Sequence, residues 1–161
     1  MVNFTDGLKS GKIGEDIFKT DFLEFLDIKY QDVTGCQKFQ VIDTDFLTKI
    51  RTYEIKTNYR DDKRLIIEEY TNINETFGPI SLGWFHKSTA DLFCFVSKAS
   101  RTIVLVPNNE KFRQHYKQIC QSYELKRNKV SFNNGNRWQS AFRIIPFEAI
   151  QGYFSVYKKI A

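Results

Sequence analysis

Asp45-Phe46-Leu47 and Glu54-Ile55-Lys56 stand one short connection apart, and between them they carry groups able to hydrolyse a phosphodiester. On a strand, residues two apart project from one face, so Glu54 and Lys56 point one way and Tyr53 and Ile55 the other. If the segment from Phe39 to Leu47 pairs with that from Thr52 to Thr57 through Thr48-Lys49-Ile50-Arg51, Asp45 approaches Glu54. Two carboxylates offer hard oxygen ligands to Mg²⁺, an ion that keeps waters and takes a phosphate oxygen. Such an ion stabilises the charged transition state and acidifies the attacking water. Lys56 can orient that water, help deprotonate it, or offset charge on the phosphate. Asp43 shares a strand face with Asp45 and is an alternative ligand.

Glu-x-Lys also occurs as a solvated strand face or an ordinary ion pair. A second copy, Glu124-Leu125-Lys126, lies at the end of an expected helix, where residues two apart do not share a face. Three features set the first copy apart. An aspartate precedes it at hairpin distance. Gly14-Glu15-Asp16-Ile17 puts Glu15 on the first helix as a third carboxylate. Leu65-Ile66-Ile67-Glu68-Glu69-Tyr70 brings further acids on a strand just after the lysine.

The elements that must hold these groups follow from periodicity and punctuation. Thr5 or Asp6 can cap a helix over about 6–26, with Leu8, Ile13, Ile17, Phe18, Phe22 and Phe25 roughly on one face. Gly7, Gly11 and Gly14 weaken its start, or permit close approach of another backbone or of DNA. Strands are expected at Ile28–Val33, Phe39–Leu47, Thr52–Thr57 and Leu65–Tyr70. Thr71 to Ser88, rich in Asn and Gly, reads as a loop or flap anchored by Trp84 and Phe85. Leu92–Ser97 and Thr102–Val106 read as buried strands. A helix follows from Pro107-Asn108-Asn109 to about Leu125, then a basic turn (Lys126, Arg127, Lys129) and a polar loop, Asn133-Asn134-Gly135-Asn136. A strand at Phe142–Ile145 and a last helix from Pro146 complete the chain.

The 161 residues suit one domain over 1–161, and 42% hydrophobic content excludes a disordered chain. A net charge of +5 fits a nucleic-acid partner, and equally an ordinary basic protein. Cys36, Cys94 and Cys120 are odd in number and irregularly spaced, which argues against a disulfide framework; with His86 and His115 they form no zinc-ligand spacing. Cys94 reads as core, His86 as a loop histidine, and Trp84 and Trp138 as anchors rather than stacking platforms. Neither a targeting peptide nor a membrane span is recognisable, so a cytoplasmic, intracellular protein with no membrane partner is expected.

The order of an early helix with Glu15, a strand ending in Asp45-Phe46-Leu47, and then Glu54-Ile55-Lys56 resembles the PD-(D/E)xK nuclease superfamily. Gly83-Trp84-Phe85-His86-Lys87-Ser88-Thr89-Ala90-Asp91 before an apolar strand is similar to the continuation in its phage and bacterial members, and the likeness covers roughly residues 6–106. No proline precedes the aspartate. The resemblance implies an α/β, restriction-endonuclease-like core, a central mixed β-sheet flanked by α-helices. It also implies metal ligation by Asp45 and Glu54, a catalytic role for Lys56, and a place for Glu15 matching the helix-1 acid of resolvase-like branches. The function expected is a Mg²⁺-dependent DNA endonuclease, with Mn²⁺ able to substitute, of homing or phage type. A Holliday-junction-resolvase-like enzyme and a non-catalytic DNA-binding module on the same fold are the other readings. Duplex cleavage needs one active site per strand, so a homo-oligomer is expected. Lys12, Lys49, Arg51, Lys87, Arg127, Lys129 and Arg137 are candidate phosphate contacts.

Overall fold

The computed structural model describes residues 4–58, 63–74, 76–133 and 136–159, with the side chains of residues 4–10, 133 and 136 left out. The expected cap at Thr5 or Asp6, the side chain of Leu8, and Asn134 and Gly135 of the polar loop lie outside the described residues.

The first helix, α1 (Phe4–Phe18), runs directly into a π-helical turn at Lys19–Glu24. Its apolar face carries Ile17, Phe18, Phe22 and Leu23, all buried. That stripe packs on one face of a six-stranded sheet in the order β1-β2-β3-β6-β7-β12. The strands are β1 (Tyr30–Asp32), β2 (Phe46–Thr48), β3 (Thr52–Asn58), β6 (Leu92–Ser97), β7 (Thr102–Pro107) and β12 (Ser155–Lys158). The β3–β6 pair is parallel and every other neighbouring pair is antiparallel, so the sheet is mixed.

Alternation along the central strands divides the core in two. Tyr53, Ile55, Leu92, Cys94 and Val96 face α1, whereas Phe93 and Phe95 face the other way. On that second face lies a four-stranded sheet, β5-β4-β11-β8, built from β4 (Arg64–Asn74), β5 (Gly78–Leu82), β8 (Lys126–Arg127) and β11 (Ala141–Pro146). Helix α3 (Trp84–Lys87) and helix α4 (Glu110–Ile119) close the same core through Trp84, Phe85, Phe112 and Tyr116. Asn109 caps α4 as a side-chain acceptor for the Phe112 N–H. A separate hairpin, β9 (Ser131–Asn133) with β10 (Asn136–Trp138), projects between β8 and β11. No helix among the described residues is long and apolar enough to cross a membrane.

Four sequence expectations need correction. The strand expected over Phe39–Leu47 is a short helix, α2 (Gln37–Gln40), followed by a turn and only three strand residues, Phe46–Thr48. Only Phe46 of this segment is buried in the core; Val41 is 69% exposed, and Asp43 adopts a positive φ of 46°. The region read as a loop from Thr71 to Ser88 instead extends β4, turns at Gly78 (φ +74°), and returns as β5 and α3. Two register shifts in the β4–β5 pairing scramble the period-two signal that would have revealed it. The helix expected to reach Leu125 stops at Ile119, with a 3₁₀ turn to Ser122. The last helix expected from Pro146 is a 3₁₀ turn, Phe147–Ile150, after which Gly152 (φ +87°) redirects the chain into the edge strand β12.

Candidate functional site

β2 is much shorter than β3, and the site occupies the gap this leaves. Only Phe46 and Leu47 pair with β3, opposite Tyr53 and Thr52. Beyond them the β3 edge would present unpaired backbone N–H groups. Asp45 fills the first position: its N–H donates to the Tyr53 carbonyl (2.8 Å), and its Oδ2 accepts the Ile55 N–H at 2.7 Å. A carboxylate thus replaces a strand and is held rigidly at the sheet edge.

Glu54 and Lys56 project from the sheet face opposite α1, in register with Phe93 and Phe95. Glu54 is 3% exposed, and its Oε1 contacts the Lys56 ammonium. Among the described residues its Oε2 is buried with no partner at hydrogen-bond geometry, while the Asp45 carboxyl lies close enough for Glu54 to lower its pKa by hydrogen bonding. Lys56 keeps 27% of its side-chain exposure, with Nζ 5.0 Å from the centre of the Trp84 ring.

These groups open onto one cavity of about 640 Å³. Asp43, Asp45, Glu54 and Lys56 line it from the β2–β3 side, Gly11 and Glu15 from α1, and Glu68 and Asn128 from the second sheet. The helix is brought close by Gly14, where a Cβ would sit 2.0 Å from Thr57 Oγ1. The weak helix former that the sequence flagged is therefore the contact point of α1 with β3. The second wall is seated in the same manner, since a Cβ on Gly83 would meet the Glu68 carbonyl oxygen at 2.3 Å.

Burial and crowding move the acids upward. Burial raises Glu54 to about 8; Lys56 opposes the rise and Asp45 adds to it. Burial also raises Asp45, against the Ile55 N–H and Lys56. Glu15 is raised by burial and then by Asp45, with Lys12 opposing. Glu68 is raised by burial, with Lys56 and Thr71 opposing. Burial alone would lower Lys56, but Glu54, Asp45 and Asp43 outweigh it and hold the ammonium above its ordinary value. Its neighbours therefore favour the ammonium form of Lys56, which works against the proton-abstracting role open to it in the sequence.

The candidate phosphate contacts divide by position. Lys12 pairs with Glu15 (3.6 Å) and Asp16 (3.5 Å) beside the cavity. Lys87 Nζ lies 3.2 Å from Asp43 Oδ2, an ion pair by distance without hydrogen-bond geometry. Lys49 and Arg51 sit in the β2–β3 turn and do not line the cavity. Arg127 and Lys129 are exposed on either side of Asn128, which does line it. Arg137 turns inward, donating to the Ile73 carbonyl (2.9 Å) and to Gln139 Oε1 (2.9 Å). His86 does not line the cavity, and burial lowers its pKa. Asn128 went unrecognised in the sequence, since it reaches the cavity only through the long-range pairing of β8 with β11.

Among the described residues, no group of three or more His, Cys, Asp or Glu side chains stands close enough to form a complete metal set. Asp45 and Glu54 make a two-carboxylate donor pair with one buried oxygen unsatisfied, which suits a cation that retains most of its own waters. No family model matches the chain, and no curated protein or solved structure matches it.

Proposed function

We propose that the chain is a metal-dependent DNA endonuclease with a restriction-endonuclease-like core, its active centre at Asp45, Glu54 and Lys56. The observation that carries this reading is the buried Glu54 carboxyl, whose Oε2 has no partner at hydrogen-bond geometry among the described residues, at a cavity beside Asp45 and a lysine whose neighbours favour its charged form. Burial holds a proton on Glu54 in the metal-free protein, and a cation bound at this carboxyl would take the place of that proton. The mixed sheet with β3 and β6 parallel next to the β2–β3 hairpin supports the fold assignment.

Asp45 and Glu54 would hold Mg²⁺ or Mn²⁺, with Glu15 close enough to act through a bound water. An ion held there supplies charge stabilisation on the phosphoryl oxygens and an acidified water. Asp45 contributes a ligand whose direction is set by the Ile55 N–H. Glu54 contributes Oε2 and keeps Lys56 protonated through Oε1. Lys56, steadied over Trp84, offsets the charge that develops on the phosphate as the leaving oxygen departs. Exposed Arg127 and Lys129 at the rim would hold the strand by its phosphates, and a homo-oligomer would present one centre to each strand of a duplex. The Glu54–Lys56 contact, and the absence among the described residues of a set of three or more acids, histidines or cysteines able to hold a metal, favour a second reading, a non-catalytic DNA-binding module on this fold.

Supercoiled DNA incubated with Mg²⁺, Ca²⁺ or EDTA separates the two. The endonuclease reading requires nicking with Mg²⁺ only. It also requires that Lys56→Ala lower the rate by about 10²–10³ while the variant stays folded and binds DNA. Wild-type rates from Lys56→Ala would return the pair to an ordinary strand-face contact.

A further inference from the structure

We infer that the β9–β10 hairpin is a strand-engaging arm that stacks on unpaired bases next to the cavity, so that the substrate is DNA with a locally single-stranded segment. The inference rests on the endonuclease reading for its substrate class, but it stands on a different part of the molecule.

The hairpin grows out of the cavity wall. Asn128, which lines the cavity, is locked by three hydrogen bonds: its N–H to the Ser140 carbonyl (2.9 Å), its Nδ2 to Ser140 Oγ (2.6 Å), and its carbonyl accepting from Gln139 Nε2 (2.8 Å). Arg137 ties the returning strand to Ile73 at the end of β4. The root of the arm is therefore fixed relative to Glu68 and Lys56.

The charged residues of the segment that leads into the hairpin are left over. Lys126, Arg127 and Lys129 are exposed, and among the described residues no carboxylate pairs with any of them. Its aromatic residues are left over too: Phe132 is 72% exposed and Trp138 42%. The register Ser131↔Trp138 and Phe132↔Arg137 places the two rings on opposite faces of the ribbon. Exposed cations leading into a hairpin with solvent-exposed rings supply the chemistry that holds a single strand: the cations take phosphates and the rings take base faces. A regular duplex offers phosphates but hides its base faces. The other exposed hairpin makes the contrast: Phe77, 83% exposed at the β4–β5 turn, has no lysine or arginine between Thr71 and Leu82.

The test is binding in EDTA, so that cleavage does not enter, with a 12-nucleotide oligothymidylate and a 12-base-pair duplex as probes. Phe132→Ala should weaken oligothymidylate binding by about 5–150-fold and change duplex binding less than twofold. Phe132→Trp should restore it, and Phe77→Ala should leave both affinities at wild type. The triple change of Lys126, Arg127 and Lys129 to Ala should weaken both probes and reduce the log–log salt slope for the single strand by about 2. Equal affinity of wild type and Phe132→Ala for the single strand overturns the arm, and so does an equal loss on both probes. A wild-type dimer in sedimentation that Phe132→Ala disperses also overturns it, by making the hairpin a contact between copies of the chain. If wild-type protein nicks supercoiled DNA while Phe132→Ala binds normally, only the arm is lost. If wild type binds neither probe, the endonuclease reading falls with it.

Discussion

Glu54 on β3 and Glu69 on β4 are both buried carboxylates beside a cation, Lys56 in one case and Arg143 in the other. Glu69 is engaged through Oε1, which accepts from the Tyr116 hydroxyl (2.6 Å) and from Arg143 Nε (2.8 Å), and Arg143 also donates to the Tyr123 carbonyl. The network joins β4, β11 and α4, and Glu69 does not line the cavity that Glu54 lines. Glu54 has one oxygen on Lys56, the Asp45 carboxyl as a neighbour, and among the described residues no partner at hydrogen-bond geometry for its other oxygen, at the wall of a cavity. A buried ionic group that closes on itself is part of the fold. One at a cavity wall is open to a partner from outside, as the proposed metal site requires.

The sharpest way to break this contrast is Arg143→Ala. It strands the Glu69 charge in the core and should destabilise the protein by about 3–5 kcal/mol. Urea unfolding measures it, and cleavage per folded molecule should stay near wild type. A loss of activity without a loss of stability would place the Glu69 network in the site instead.

Gly14→Ala comes next. The new methyl group meets Thr57, so α1 must withdraw from β3, at about 1–3 kcal/mol. Because Glu15 rides on the same turn, Mg²⁺-dependent cleavage should fall as well. Thr57→Ala in the same chain should relieve part of both effects, and an absence of relief would mean that the contact does not seat the helix.

The smallest effect has the opposite sign. Glu54 is raised from 4.5 to about 8 by burial, so between those values the folded protein holds a proton that the unfolded chain has released. More protons bound in the folded state means that metal-free stability falls as pH rises through that window. Glu54→Gln should flatten the fall and leave the metal-free protein more stable above pH 8, on the order of 0.5–2 kcal/mol, while abolishing cleavage. Chemical denaturation in EDTA across pH 5–9 reads it. A slope unchanged by the substitution would mean that Glu54 is not the group that titrates.

Much of the Glu54 side was legible in sequence, because it depends on short-range geometry. Thr52–Thr57 reads as a strand, and alternation alone puts Glu54 and Lys56 together. Leu92–Ser97 and Thr102–Val106 are apolar enough to fix β6 and, to within a residue, β7. Asp45 was placed correctly beside Glu54 but for a partly wrong reason. It reaches β3 as a capping carboxylate at the end of a three-residue strand, not as a member of a long one. The far wall was less legible. Glu68 was visible as an acid on a strand, but its facing Lys56 depends on the second sheet. The β8–β11 and β4–β11 pairings that build this sheet are long-range and carry no local signature.

Those pairings also set the order in which the site can come into being. Thr52 and Asp91, 39 residues apart, join through the Asp91 carboxylate at the start of the parallel β3–β6 pair, and Glu69 meets Arg143 across 74 residues. High contact order of this kind slows folding toward the millisecond-to-second range. The β2–β3 hairpin, by contrast, closes over a few residues and can form in microseconds. Asp45 and Glu54 therefore become neighbours early, while still in water and with ordinary acidities, and are desolvated only when the second sheet docks. Their altered acidities, and any grip on a cation that depends on burial, are properties of the last step of assembly.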